Sequence, residues 1–199
     1  GFSDLLSIET DPDLRETYIS LIKSNNELLL RLINDVLDIS KIESGMVFFA
    51  YTDVYLPSAM RDMYNIMQLR MPENVELILD PCPDIMIRTD NNRMVQILSN
   101  LLTNAIKHTS CGSIRFGYTL KGDHVHFYVS DTGKGIPEKE LDHIFGRFVQ
   151  LKGAYNGIGL GLAISKGLVN KMGGEISVSS KVGEGSTFRF TLPLANILS

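Results

Sequence analysis

Hydrophobic periodicity divides the chain into one long helical pattern and a region where strand and helix patterns alternate. Residues 14–43 contain no Pro or Gly, and two adjacent apolar seams run along them. One seam is formed by Leu14, Tyr18, Leu21, Leu28, Leu32, Ile39 and Ile42, and the other by Ile19, Ile22, Leu29, Ile33 and Val36. A stripe this wide is typical of a helix that packs against two or three others, as in a four-helix bundle.

The ends of this helix carry their own signals. Asp11-Pro12-Asp13 is typical of a turn and a helix start, so we interpret residues 2–8 as the tail of a preceding helix. Gly45 is expected to end the long helix. We therefore predict a partial helical hairpin over residues 1–44 and a second domain over residues 45–199.

The second region alternates between the two periodicities, with turn residues between them. It predicts strands at 47–54, 75–80, 85–89, 113–120, 124–130, 175–180 and 186–192, and helices at 57–71, 91–109, 137–145 and 161–172. Residues 150–156 are expected to form a flexible stretch. This order favours an α+β fold, a mixed sheet with helices on one face in an α/β sandwich, behind the helical hairpin.

Composition narrows the classes of function. At 199 residues and 44% hydrophobic, the chain can bury a full core and still hold a small second module. The net charge of −4 argues against nucleic-acid binding, which needs a basic surface. No apolar run is long enough to span a bilayer, and the first residues lack the features of a signal peptide. We expect a soluble, cytosolic chain whose Cys82 and Cys111 are reduced thiols without an assigned role.

The predicted helix at 91–109 carries a polar stripe opposite its apolar face. Arg93, Gln96, Asn100, Asn104 and Lys107 lie on this stripe. A solvated helix face would explain a single asparagine, but two of them one turn apart each cost up to roughly 0.7 kcal/mol of helix propensity. Their amide oxygens can ligate a hard cation such as Mg²⁺, whose remaining charge phosphates would neutralise.

Two glycine-containing motifs follow. Asp131-Thr132-Gly133-Lys134-Gly135-Ile136 comes after a strand, where a carboxylate can accept the amino group of a flat base, although an Asp-initiated turn would be the better explanation if the motif stood alone. Gly157-Ile158-Gly159-Leu160-Gly161-Leu162 opens a helix, where free amides can cradle phosphate. It lacks the lysine and hydroxyl of a P-loop, and no strand leads directly into it.

These elements, in this order and spacing, resemble the ATP-binding domain of bacterial sensor histidine kinases, within the superfamily that includes gyrase and Hsp90-type ATPases. The resemblance covers nearly the whole chain. The family's N box resembles residues 96–109, its G1 box 131–136, its F box 144–148 (Ile-Phe-Gly-Arg-Phe) and its G2 box 157–162, and the ending Gly183-Glu184-Gly185-Ser186-Thr187-Phe188 also fits.

The resemblance implies a residue set for Mg²⁺ and ATP. Asn100 and Asn104 would lie at the metal and the phosphates, Lys107 at a phosphate and Asp131 at the adenine amine. Gly133 and Gly135 would lie beside the ring, and Thr187 near it through water. The backbone amides from Gly157 to Gly161, which include those of Ile158, Gly159 and Leu160, would contact the triphosphate. The remaining ATP-binding positions are His108 and Ile136. Phe145 and Phe148 would be hydrophobic anchors of the ATP lid, in agreement with a core role.

Three features depart from the family pattern. His108 stands where an aromatic ring is more usual, and the lid at residues 150–156, with Lys152, is short. The segment Gly1–Leu6 resembles the one just after the family's H box, which would place the phosphoaccepting histidine roughly three helical turns upstream, outside this chain. The other histidines do not replace it, because His124 and His126 alternate with apolar residues as the exposed face of a strand.

The resemblance implies a protein-histidine kinase that uses Mg-ATP, forms a homodimer through its hairpin and passes phosphate to the aspartate of a response-regulator receiver domain. It would be the cytosolic portion of a sensor. Hydrolysing relatives carry Glu at the position of Asn100, and an amide cannot act as a general base for water. A hydrolysing ATPase of the same superfamily and a nucleotide-regulated dimerisation or docking module are the alternatives.

Overall fold

The long helix forms as the sequence predicts. The computed structural model describes residues 5–6, 9–149 and 159–194, and its first long helix is α1 (Pro12–Ser44). The Asp11 carboxylate accepts the backbone N–H of Asp13 over 2.9 Å, which satisfies a donor that the helix start leaves free. Gly45 ends α1 in the left-handed conformation, with φ of 72°. Most of the expected preceding helix, residues 2–8, lies outside the described residues.

The region after Gly45 contains short strands and helices in the expected order. They are β1 (Thr52–Tyr55), α2 (Leu56–Gln68), β2 (Val75–Leu79), β3 (Met86–Thr89), α3 (Asn91–His108), β4 (Gly112–Lys121), β5 (His124–Asp131), α4 (Glu138–Leu141), α5 (Gly161–Lys171), β6 (Ile176–Lys181) and β7 (Gly185–Pro193). The α+β prediction is confirmed.

Two elements have about half of the predicted length or less. The strand expected at 47–54 begins only at Thr52, because its partner β3 offers four residues for pairing. The helix expected at 137–145 is reduced to Glu138–Leu141, and turns follow it. In both cases apolar residues extend beyond the hydrogen-bonded segment, so the hydrophobic pattern overstated its length.

The strands form two sheets rather than one. The larger sheet has the order β2-β4-β5-β7-β6, with β2 parallel to β4 and all other neighbours antiparallel. The smaller sheet pairs β1 with β3 as a separate antiparallel ribbon. The chain between β2 and β4 contains α3, so the polar stripe is carried on the crossover of a parallel pair.

The helices α2, α3 and α5 pack against one face of the five-stranded sheet. Along β5, Val125, Phe127 and Val129 are buried, whereas the intervening side chains lie on the opposite, partly exposed face. Phe127 stacks on Phe190 of β7, with ring centroids 4.6 Å apart. The methionines at helical spacing in α2, which are Met60, Met63 and Met67, are buried and belong to the core.

Most of the apolar seam on α1 stays exposed. Seven of the residues in the two seams are at least 39% exposed: Leu14, Ile19, Leu21, Leu28, Leu29, Ile33 and Val36. Its last turns pack against the core through Ile39 and Ile42. Within the described ranges, no helix combines the length and apolar character that crossing a membrane requires.

Candidate functional site

The polar stripe on α3 faces the beginning of α5. The Asn100 amide nitrogen donates to the Gly161 carbonyl over 3.3 Å and to the Ser165 hydroxyl over 3.4 Å. These bonds occupy the amide's donor side and leave its oxygen available. One turn further, the half-buried Asn104 side chain makes no hydrogen bond with any residue in the described ranges. Two amide oxygens therefore remain open to a ligand at the junction of α3 and α5.

Positive charge gathers at the carboxyl end of α3. Lys107 is exposed, and Lys134 follows on the loop whose backbone bonds to the end of the helix. Burial lowers the pKa of His108, and the charges of Lys134 and Lys107 lower it further. The imidazole is accordingly neutral near pH 7, and the two lysines supply the local attraction for an anion.

Asp131 is a buried carboxylate at the end of β5. It is 7% exposed and accepts the backbone N–H of Gly133 over 2.9 Å, with a second backbone hydrogen bond from Ser186. Burial raises the pKa of Asp131, and these two hydrogen bonds oppose that increase. A carboxylate in this environment needs a further donor, which the amino group of a base can provide.

Two glycines of the loop after Asp131 stand where side chains do not fit. A Cβ on Gly133 would come within 2.3 Å of the His108 carbonyl oxygen. Gly135 has φ of 68°, and a Cβ there would lie 2.1 Å from the Lys181 carbonyl oxygen. The loop is therefore pressed between the end of α3 and the β6–β7 turn, and the buried Ile136 completes it.

The glycine-rich element begins α5. Its Gly157 and Ile158 lie outside the described residues. Gly159 has φ of 73°, and a Cβ on it would meet the Val149 carbonyl at 2.4 Å. Leu160 is the N-cap residue of α5, and it is buried and makes no side-chain hydrogen bond to the helix start. The backbone amides of the first turn, from Gly161 onward, are therefore not capped by a side chain. A helix start of this kind attracts anions.

Thr187 does not lie with Asp131, contrary to the sequence-based expectation. In the β5–β7 register Thr187 pairs with Ser130, and the two hydroxyl oxygens are 2.8 Å apart on the face of the sheet opposite the helices. Ser186 pairs with Asp131, is 7% exposed and lies on the same face as the carboxylate. The alternation set by the buried Phe188 could have identified Ser186, because residues two apart share a face.

The predicted lid anchors differ in their environment. Phe145 packs edge-on against Phe188, with centroids 6.3 Å apart, and the Lys166 ammonium lies 5.6 Å from its ring centroid. Phe148 is 66% exposed with φ of 58°, so its assignment to the core was wrong. It directly precedes the end of the described segment at Val149, and the expected lid at residues 150–156, with Lys152, lies outside the described residues.

Side chains of the usual metal-binding types do not cluster in the described ranges, where no three His, Cys, Asp or Glu residues come together. His126 is partly buried on the sheet face away from the helices, and the His124 ring bonds to Asp123 over 2.6 Å. The amide oxygens on α3 are therefore the groups through which this site could hold a cation.

The chain is similar in sequence to known histidine kinases. The chain is 35% identical over 203 residues to hybrid signal transduction histidine kinase B of Dictyostelium discoideum, a match that covers 96% of this chain and 10% of that protein. It is 41% identical over 186 residues to the circadian input-output histidine kinase CikA of Synechococcus elongatus, with 88% and 24% covered. The chain thus spans no more than about a quarter of the length of these two relatives.

Solved structures share the fold. Full-length ShkA, crystallised in complex with AMPPNP, superposes with a TM-score of 0.81 at 31% identity, over 97% of this chain and 41% of that one. Residues 89–196, which include α3, the Asp131 loop and β7, match the family model. This chain belongs to the histidine kinase-, DNA gyrase B- and HSP90-like ATPase family.

Proposed function

We propose that this chain binds Mg-ATP and is the catalytic region of a protein-histidine kinase, which transfers the γ-phosphate to a histidine outside these 199 residues. One observation carries the proposal. The asparagine-bearing helix α3 meets the uncapped start of α5 at Asn100, in the middle of α3, and the loop after the buried Asp131 lies against the carboxyl end of α3. The relatives are named histidine kinases, and ShkA is described with an ATP analogue.

Each end of ATP has matching groups. Asp131 would accept the adenine amine, and Gly133 and Gly135 would let the ring lie against the backbone. The amides of Gly159, Leu160 and Gly161, with those of Gly157 and Ile158, would donate to phosphate oxygens. Lys107 would add a positive charge there, and the neutral His108 ring could pack against the base.

The residues at the α3–α5 junction fit Mg²⁺. Asn104 offers an amide without a partner in the described residues, and the Asn100 amide nitrogen is already engaged, which directs its oxygen away from α5. Hard cations prefer oxygen ligands, and Mg²⁺ in ATP sites takes few from protein and several from phosphate and water. The ion would neutralise charge on the phosphates during transfer.

Phosphate transfer suits this site better than hydrolysis. The Asn100 amide cannot remove a proton from water, and a kinase site needs chiefly to position ATP and neutralise charge. None of the four histidines lies on α1, so the acceptor would be on another segment.

The exposed seam of α1 supports a role in assembly. Seven apolar residues of the two seams face solvent, a surface suited to the four-helix bundle of a homodimer. Such a bundle would present phosphohistidine to a receiver domain. The same seam favours the second candidate function, a nucleotide-regulated dimerisation or docking module.

Three measurements separate these functions. Calorimetry with Mg-ATP should show binding, and its absence would end the proposal. Steady-state phosphate release should be very slow, whereas rapid release would indicate an ATPase. A chain extended through the upstream helix should acquire acid-labile phosphate with ATP; an extended chain that binds ATP but stays unphosphorylated would favour the docking module.

A further inference from the structure

We infer that Ser180 is a positioning residue that makes the site selective for adenine over guanine, by fixing the hydroxyl of Ser186 as a hydrogen-bond acceptor. This inference rests on the proposed nucleotide function and adds a residue, outside the binding positions named so far, that would determine the choice of base. Ser180 lies near the end of β6, outside every motif that the sequence indicates.

Ser180 bridges three backbone segments through one hydroxyl group. Its oxygen accepts the backbone N–H of Ile136 over 2.8 Å, which ties it to the loop after Asp131. The same hydroxyl lies 2.8 Å from the Gly185 carbonyl oxygen and 2.9 Å from the Ser186 hydroxyl oxygen. All three distances are those of well-formed hydrogen bonds.

The single proton of Ser180 decides the direction of the Ser180–Ser186 bond. A carbonyl oxygen can only accept, so the Ser180 proton goes to Gly185. Because the N–H of Ile136 uses one lone pair of the Ser180 oxygen, the other lone pair is left for Ser186. Ser186 must therefore donate its own proton to Ser180, and its oxygen has only acceptor capacity left.

The Ser186 hydroxyl oxygen lies beside a second hydrogen-bond acceptor, the Asp131 carboxylate. Ser186 pairs with Asp131 across the β5–β7 ladder, its backbone N–H bonds to the carboxylate, and both side chains lie on the same face of the sheet. Adenine carries a donor amine at the ring position where guanine carries an acceptor oxygen. A pair of fixed acceptors matches the amine and opposes the guanine oxygen, because a buried acceptor facing another acceptor stays unsatisfied.

Removal of the Ser180 hydroxyl would free Ser186 to rotate. The Ser186 proton could then turn toward the base and satisfy the guanine oxygen. The Ser180→Ala variant should therefore bind GTP more tightly relative to ATP. A change in one hydrogen bond corresponds to about a tenfold loss in the ratio of the two dissociation constants.

The test is the ratio of the GTP and ATP dissociation constants, measured by calorimetry with Mg²⁺ for the chain and three variants. Ser180→Ala should lose about tenfold in selectivity. Ser180→Thr keeps a hydroxyl and suits a strand, so it should restore the ratio. Ser179→Ala is the matched control, because Ser179 is exposed on the opposite face and bonds Arg189 over 2.8 Å.

The possible outcomes are separable. Equal weakening of ATP and GTP in Ser180→Ala would mean that Ser180 only holds the loop, and the inference would be overturned. If Ser180→Ala does not fold, Ser186→Ala decides, since it removes the fixed acceptor itself; full adenine selectivity in that variant would also overturn the inference. A parent chain that binds neither nucleotide would instead refute the proposed function.

Discussion

Asp38 of α1 and Arg93 of α3 form an ion pair, with 3.2 Å between Oδ1 and Nη1, although they are 55 residues apart in the chain. The other Asp38 oxygen accepts the Gln96 amide over 2.8 Å. Both charged side chains are largely buried, at 18% exposure for Asp38 and 24% for Arg93. This pair fixes the last turns of α1 to the helix that carries Asn100.

Replacement of Asp38 by Ala should loosen α1. Arg93 would keep its partly buried charge without a carboxylate, at a cost of about 1–3 kcal/mol. We expect faster backbone hydrogen exchange and faster tryptic cleavage after Lys41, which lies in the last turn of α1. Glu27→Ala, an exposed carboxylate on the same helix, is the control. Unchanged protection in Asp38→Ala would show that apolar contacts alone hold α1.

Asp131→Asn should abolish ATP binding and stabilise the unliganded fold. Because burial raises the folded-state pKa of Asp131, its contribution to stability is fully present below the ordinary aspartate pKa and is lost as pH rises through the raised value. At neutral pH the variant should therefore melt at a higher temperature than the parent. The difference should shrink as pH falls through the raised pKa.

Calorimetry and melting curves over a range of pH test both parts. A variant that still binds ATP would refute the role of Asp131 at adenine. A melting temperature lower than that of the parent at neutral pH would show that the hydrogen bonds from Gly133 and Ser186 outweigh the effect of burial.

Asn104→Ala should weaken Mg-ATP binding about tenfold and hardly change binding of ATP in the presence of EDTA, if its amide oxygen ligates the metal. The reason is that the side chain makes no bond to the described protein residues that its loss would disturb. Parallel titrations with and without Mg²⁺ provide the comparison. Equal weakening under both conditions would place Asn104 at the nucleotide rather than at the metal.

Two glycine variants should separate folding from binding. In Gly135→Ala the new Cβ would lie 2.1 Å from the Lys181 carbonyl oxygen, and φ is positive. The free energy of unfolding should therefore fall by more than about 1 kcal/mol. In Gly161→Ala the new atom only reaches ordinary contact, 3.5 Å from Asn100 Cγ. That variant should melt like the parent but bind ATP more weakly, as the methyl group would obstruct phosphate approach to α5. Normal affinity in Gly161→Ala would argue against phosphate at this position.

Local sequence patterns predicted the elements well, because each follows from a short repeat. The helical repeat predicted α1 and α3, and the alternation in β5 predicted its buried Val125, Phe127 and Val129. The separate β1–β3 ribbon was not predictable, because strand pairing depends on which edges meet in three dimensions. The short extent of β1 has the same origin, since it is limited by the length of its partner.

Parts of the site were predictable to the extent that they are local. The asparagines of α3 and the glycine motifs could be found from residue type and spacing, and the structure brings Asn100 to Gly161. Which of Ser186 and Thr187 lies beside Asp131 depends on the face of β7 that each side chain occupies, and the buried Phe188 marks the face that points to the core. The bonds of Ser180 to Ile136 and Ser186 join residues 44 and 6 positions away, and no short motif encodes such a network.

The strict alternation along β7 also constrains the turn that precedes it. One extra residue between Lys181 and Gly185 that shifted the β5–β7 pairing by one position would reverse the faces of the sheet on which Ser186 and Thr187 lie. The same shift would turn Phe188 out of the protein interior. An insertion that shifted the pairing would therefore disturb the site and the core together, so this turn should tolerate a change of length far less than the exposure of Val182 suggests.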